Sequence, residues 1–597
     1  MFVFSSSVRR VSLLGIAIAL QAFSPLRAAE PEANQLAPLE SARSEPRQVA
    51  RHATGMVTAA HPLASEAGVE ILQAGGNAID AAIATALAIS VLEPYSAGIG
   101  GGGFLLVYDA DSREVRSLDF RERAPIAATR DMYLDANGEA TDKSRTGHLA
   151  VAVPGTVAGL YEAHREYGEL DWETVVQPAI ELAASGFPVS ERFARSVNWR
   201  AERLFANPAA RDAFSRDGEQ YELGDRLVQP DLAATLTRIA ADPDDFYRGE
   251  TARAIAADMA EFGGLLTVED LEQYEPIWRD PVCGYFQPAD ERFEICAMAP
   301  PSSGGVHLLQ MLQLLEPLGW ASLDPGQRRH LTIEAMKIAY ADRAEYLGDP
   351  DFVDVPTEAL LSPDYLDARR AEIEPDRARS AEEVQPANPQ FLSNLRPESP
   401  ETSHLTVVDR DRNAVSLTFT VNGGFGAGVV AAGTGIVLNN EMDDFAIAPG
   451  VPNIYGLIGS EANAIAARKT PLSSMTPTIV TDGAGNLRLA VGSPGGSTII
   501  TTVFQVTLEV LARDLDVAAA LAAPRVHHQW QPDRLRLEES FNPAIVRALE
   551  NLGHDPTVRG RWGNANAIEV VPATNPSDET ELVGAVDPRG AGAASGY

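Results

Sequence analysis

Residues 376–401 follow Pro375 and carry further prolines at 386, 389, 397 and 400 among mostly polar and charged side chains, and they stop abruptly at a strand-like run. A stretch with neither a helical nor a strand period, broken by proline, predicts an exposed loop. The character reverses directly after it. Thr402 to Val408 alternates as a strand, Asp409 to Asn413 is a charged turn, and Ala414 to Val421 is strand-like again, which predicts a hairpin. A loop joined to a hairpin in this way is a place where a chain can be cut without harm to its core. Upstream, apolar spacing predicts helices from His61 to about Leu72 and from Ala78 to Leu92, then a strand from Phe104 to Tyr108. Further helices are predicted at 155–166, 173–185, 230–242, 250–262 and 328–346, and a strand at Leu487 to Val491. No period of 20–50 residues recurs, so the chain is not a solenoid.

The charge balance narrows the partners. With 48 basic against 83 acidic residues, a net of −35, the surface repels nucleic acid and anionic membranes. At the start, Arg9 and Arg10 precede an apolar run from Val11 to Phe23, and small residues follow at Ala28 and Ala29. That order predicts a secretory signal peptide over 1–29, then a flexible leader over 30–50. The run is shorter than the roughly 20 residues a membrane span needs, so no membrane anchor is expected and the location is periplasmic or secreted. Two cysteines, Cys283 and Cys296, flank a polar turn; in an oxidising compartment they could pair across a hairpin, and two separate thiols are the alternative.

Several catalytic signatures are absent or out of context. Gly98, Gly100 and Gly103 have dinucleotide-loop spacing, but the expected order there is helix then strand, the reverse of what that loop requires. No lysine follows a glycine run as in a phosphate loop, and there is no His-Glu-x-x-His, Gly-x-Ser-x-Gly or Ser-x-x-Lys. His527 and His528 are adjacent, and neighbours on a strand point to opposite faces, so they are read as structural. No metal and no cofactor is expected.

Five segments of the C-terminal third are unusually rich in small polar residues: Thr402-Ser403-His404, Thr420 to Gly424, Asn439 to Phe445, Pro471 to Met475, and Gly492 to Ser497. Together with Gly75 to Asp80, Asp119 to Glu122, Pro154 to Gly159, Pro300 to Gly305, Arg525 to Trp530 and Asp587-Pro588-Arg589, they resemble the γ-glutamyltransferase (glutathione hydrolase) family over almost the whole mature chain. The resemblance implies an α+β fold, the four-layered αββα sandwich of N-terminal-nucleophile hydrolases. It implies self-cleavage between Glu401 and Thr402, giving a large subunit, 51–401, and a small catalytic subunit, 402–597, which remain associated as one heterodimer because a single αββα domain is built from both.

Cleavage before Thr402 has a chemical purpose. A threonine hydroxyl is a weak nucleophile that needs a neighbouring base. The freed α-amine, with an unperturbed pKa of about 7.7–8.0, is a base suited to neutral pH. By position in the family motifs, Thr420 orders that amine and the N–H groups of Gly495 and Gly496 form the oxyanion hole. Arg121, Ser473 and Ser474 hold the donor α-carboxylate, Asn422, Glu441 and Asp444 take its α-ammonium, and Tyr455 belongs to a lid over Gly450 to Tyr455. His404 shares the face of Thr402 and is read as structural. The implied donors are glutathione and other γ-glutamyl compounds, and the implied acceptors are water, amino acids or dipeptides. Two other readings compete: a cephalosporin or glutaryl acylase of the same superfamily, whose substrates lack the α-amine, and a non-catalytic periplasmic binding protein with the same fold. The Asn422, Glu441 and Asp444 set argues against the first, and an intact Thr402, Thr420 and Gly495-Gly496 against the second.

Overall fold

The computed structural model describes residues 48–216, 218–386, 402–448, 450–572 and 580–597; the expected signal peptide, most of the leader and Glu401 lie outside them. Two antiparallel sheets of seven strands each form the centre. In the first, the order is Val49–His52, Glu581–Val586, Asn566–Val571, Leu487–Gly492, Thr478–Thr481, Phe293–Ala297 and Val282–Phe286. In the second it is Ala593–Gly596, Met56–Ala59, Ser403–Val408, Ala414–Thr420, Gly102–Asp109, Glu114–Phe120 and Ile277–Arg279. The sheets meet where Ser403–Val408 and Ala414–Thr420 pack on Leu487–Gly492. Helices Pro62–Gln73 and Ala78–Leu92 cover the outer side of the second sheet, and helices Gly304–Leu315 and Thr498–Arg513 that of the first. This is the αββα sandwich that the family resemblance implies.

Strand alternation explains the position of the hairpin. Leu405, Val407, Val415, Leu417 and Phe419 point outward into one apolar core with the wholly buried helix Ala78–Leu92. The opposite face of the same two strands carries His404, Thr406, Ser416 and Thr418 toward the other sheet. A strand buried on both faces is usually apolar throughout; here the inner face is polar but bonded. The Ser416 hydroxyl donates to the Val491 carbonyl, and the Asn566 amide donates to the His404 carbonyl. Asp80, the one acid in the apolar helix 78–92, completes a capping box with Asn77 and also accepts the N–H groups of Glu169 and Leu170. No described helix is long and apolar enough to cross a membrane.

The expected helices all occur, with ends moved by at most three residues: Thr156–Tyr167, Trp172–Ser185, Pro230–Ala241, Glu250–Phe262 and Pro325–Tyr346. Three other expectations are settled or corrected. Cys283 and Cys296 are a directly opposed cross-strand pair, Cα–Cα 4.1 Å, and form a disulfide. Val49 and Ala50, expected to belong to a flexible leader, are instead part of an edge strand. Within the exposed loop expected over 376–401, Arg379, Ala381 and Val384 are buried, and residues 387–401 lie outside the described residues. Arg379 is held by the Glu334 carboxylate at 2.7 Å, and the Trp530 indole N–H reaches the carbonyls of Ala381 and Val384. A buried ion pair and an indole contact to backbone leave little apolar signature in sequence.

Candidate active site

The hairpin register sets Ser403 against Phe419, so the residues just beyond the pairing, Thr402 and Thr420, come face to face. Their hydroxyl oxygens are 3.3 Å apart and both residues are buried. Thr420 is itself fixed: its oxygen accepts the N–H of Asn422 at 2.8 Å. Asn422 takes a left-handed backbone, φ 70°, which turns the chain out of the strand and under the pocket. Its side-chain amide donates to the Asn440 carbonyl.

One pocket gathers Thr402, Thr420, Asn422, Arg121, Glu441, Asp444, Tyr455, Ser473, Ser474 and Gly496. These are all the described candidate residues except Gly495, which adjoins Gly496. Arg343, Leu457, Met475 and Ile499 complete the lining. The space between the side chains is about 20 Å³, room for about one water molecule.

Electrostatically the pocket is a knot of buried charges. Arg121 at the end of the strand Glu114–Phe120 is 1% exposed and pairs with Glu441 through one guanidinium nitrogen and with Asp444 at 2.6 Å through another. Glu122 lies 3.8 Å away. Burial works against the charge on Arg121, but the surrounding carboxylates outweigh it and hold the guanidinium more firmly protonated than usual. Burial raises the Glu441 carboxyl well above the ordinary range, against the pull of Arg121, and Glu122 and Asp444 push it further. Glu122 and Asp444 are raised for the same first reason. The arginine and the acids are therefore in direct contact and do not stand at two separate ends.

Gly495 and Gly496 link the strand Leu487–Gly492 to the helix Thr498–Arg513, with φ of 133° and 54°. No backbone carbonyl takes up the N–H of either glycine among the described residues. Both stand just ahead of a helix N-terminus, whose partial positive charge favours an anion there. Tyr455 roofs the site. A Cβ on Gly496 would lie 2.2 Å from its ring, and its hydroxyl donates to the Asn422 carbonyl at 2.9 Å. The segment leading to Tyr455 is tied down by Asp443 and Asp444, which accept from the Ile454 N–H and the Asn453 side chain. Arg145 binds both Asp443 and the Pro452 carbonyl.

His404 is on the predicted face, but its ring is spent on Thr418 at 2.8 Å and Thr406 at 3.1 Å. Burial lowers its pKa to about 3, so it is neutral and structural. Because the folded value lies below the unfolded value of about 6.5, this residue favours folding fully above that value and loses the contribution as pH falls. The variant His404→Gln, which keeps one donor and one acceptor, is expected to close the stability gap to wild type by about 2 kcal/mol between pH 8 and pH 5. Urea melts at the two pH values check it; a gap independent of pH contradicts it.

His527 and His528 are likewise occupied, by Thr501 and Gln529 and by Asp533. One described group has metal-ligand spacing: His330, Glu334 and His554, with ligand atoms within 4.8 Å of one another. Glu334 is already paired with Lys337 and Arg379. His330 bonds the Glu374 carbonyl and His554. With two cations already on its only carboxylate, the cluster suits a divalent ion poorly, and it works instead as a bonding network anchoring residues 374–379.

Sequence reading missed Glu122, Arg145, Asp443 and Arg343. Glu122 follows Arg121 in a segment singled out for its family resemblance, and Asp443 lies inside another. Arg145 and Arg343 come from parts of the chain with no local signal of a site.

A family model described as Gamma-glutamyltranspeptidase matches residues 64–597. A protein of Escherichia coli strain K12 named glutathione hydrolase proenzyme is 44% identical over 544 residues, covering 90% of each chain. Among solved structures, a cephalosporin acylase from Bacillus halodurans has a TM-score of 0.79 at 30% identity, covering 94% of this chain and 99% of its own. A chain of Helicobacter pylori gamma-glutamyltranspeptidase has a TM-score of 0.53 at 40% identity, covering 55% of this chain and 95% of its own.

Proposed function

The chain belongs to the gamma-glutamyltranspeptidase family, and on that premise we propose that Thr402, freed by cleavage after Glu401, attacks the γ-carbonyl of glutathione and other γ-glutamyl amides. The protein is an enzyme of the glutathione hydrolase type, made as a proenzyme. The observation that carries the residue assignment is the Thr402–Thr420 hydroxyl pair inside a pocket that also holds Arg121, Glu441, Asp444, Ser473, Ser474 and Gly496.

In the mechanism, the α-amine of Thr402 takes the proton of its own hydroxyl as the oxygen bonds to the γ-carbon. The carbonyl oxygen gains negative charge and is met by the N–H groups of Gly495 and Gly496. Collapse returns the proton to the leaving amine and leaves a γ-glutamyl ester on Thr402. Water then releases glutamate, or an amino acid or dipeptide amine takes the γ-glutamyl group. Asn422, Glu441 and Asp444 receive the donor ammonium, which supplies the acids with a cation besides Arg121. Ser473, Ser474 and Arg121 receive the α-carboxylate. The products of cleavage, 51–401 and 402–597, stay together as a heterodimer, a reading supported by the place of Ser403–Val408 between Met56–Ala59 and Ala414–Thr420. The residues at the N-terminus support export to the periplasm or beyond.

The acylase reading has a structural relative behind it, but the three ammonium ligands favour a donor with an α-amine. A site built to hydrogen-bond a polar group rejects an analogue lacking it strongly. γ-Glutamyl anilide is therefore expected to exceed glutaryl anilide in kcat/KM by about 10³-fold or more; equal or reversed rates contradict the assignment.

A further inference from the structure

Arg343 projects from the long helix Pro325–Tyr346 into the donor pocket, beside the two serines. It is 4% exposed, and its Nε donates to Ser303 Oγ at 3.0 Å while Nη2 donates to Ser474 Oγ at 3.1 Å. Both partners are neutral, and Arg343 makes no ion pair among the described residues. Arg121, by contrast, is paired with two carboxylates. A buried guanidinium with only neutral partners is costly unless an anion comes to meet it. Burial lowers its pKa to about 10; Arg121 adds to the fall, and Tyr340 and Asp444, near it but not in ion-pair contact, oppose it.

The hydrogen-bond directions at the serines show where that anion belongs. Ser473 Oγ accepts the Met475 N–H at 3.1 Å, and Ser474 Oγ accepts Arg343. Neither hydroxyl hydrogen has an acceptor among the described residues, so both are left to donate to a ligand in the pocket. Ser303, which steadies the other arm of the guanidinium, is tied to the same segment, because its hydroxyl donates to the Ser473 carbonyl at 2.7 Å.

We propose that Arg343 is a positioning residue for the donor's α-carboxylate: gripped by Ser303, it fixes Ser474 as a hydrogen-bond donor and supplies a positive charge, engaged in no direct ion pair among the described residues, that an incoming carboxylate meets. The inference rests on the γ-glutamyl reading above and adds a second cation to the carboxylate end of the site. It also gives Arg121 a second part, as counter-ion to the acids that receive the donor ammonium.

The test compares wild type, Arg343→Met and Arg343→Lys, using inhibition by L-glutamate and by 4-aminobutyrate, which is glutamate without its α-carboxylate, against γ-glutamyl anilide as donor. For Arg343→Met the inhibition constant of glutamate and the KM of the anilide are expected to rise about 100-fold, with kcat and the constant for 4-aminobutyrate within about threefold of wild type. Arg343→Lys, which keeps the charge but loses the fork, is expected to recover about tenfold of that loss. Self-cleavage into two bands and an unchanged unfolding temperature establish that the variants are folded. Equal weakening of both inhibitors, or no change in glutamate binding, overturns the proposal. Should Arg343→Met not fold, the Lys variant is read alone by the same ratio. Failure of the underlying γ-glutamyl reading is distinguishable, because wild type itself would then be inert toward the anilide.

Discussion

The variant Thr402→Ala is expected to accumulate as a single uncut chain and to lose at least about 10⁴-fold of its γ-glutamyl activity. The magnitude follows from what the side chain supplies. In the proposed mechanism its hydroxyl is both the attacking group in turnover and the group that opens the bond after Glu401. The Thr420 hydroxyl is 3.3 Å away and already accepts the Asn422 N–H. His404 is neutral and bonded to two threonines. Thr402→Ser keeps the oxygen and is expected to be cut and active. The check is a denaturing gel with an anilide assay; two bands and activity in Thr402→Ala would show that the nucleophile lies elsewhere.

The second large effect is expected at Asp444. The variant Asp444→Asn keeps the shape of a side chain that pairs with Arg121 at 2.6 Å and accepts from Asn453 at 2.9 Å, but it removes the charge. Removing one partner of a buried charged pair costs about 3–4 kcal/mol, which is roughly 10²- to 10³-fold. The loss is expected in KM, because in the proposed complex the donor ammonium is bound alike in the ground state and the transition state. Self-cleavage is expected to survive, since the bond after Glu401 has no use for an ammonium ligand. Initial rates over a range of donor concentration, with a gel of the same preparation, check both halves. A fall in kcat at constant KM would assign Asp444 a different part.

The two effects reflect how the site was legible. Thr402 and Thr420 were assigned through the family resemblance; the predicted hairpin put them on neighbouring strands, and strand parity put 402 and 404 on one face. Gly495 and Gly496 stood out as a glycine pair after a strand, and the acid and serine segments as polar runs where a core was otherwise due. Longer-range relations were not legible. Arg343 lies on a helix of mixed composition, and only the fold brings it to Ser474, 131 residues later. The contact of Arg121 with Glu441 and Asp444 depends on packing of a strand end against a turn more than 300 residues away. The buried stretch around Arg379 and Val384 reads as polar because its stability comes from an ion pair and an indole-to-carbonyl bond. The cysteines could be placed on a hairpin, but only the strand register set them directly opposite.

The measurement that bears most directly on the central claim is tandem mass spectrometry of the wild-type small fragment after reaction with an electrophilic glutamine analogue. The fragment is expected to begin at Thr402, with its α-amine free and the label on the threonine side-chain oxygen. A fragment beginning at another residue, or a label carried anywhere but on Thr402, contradicts the account.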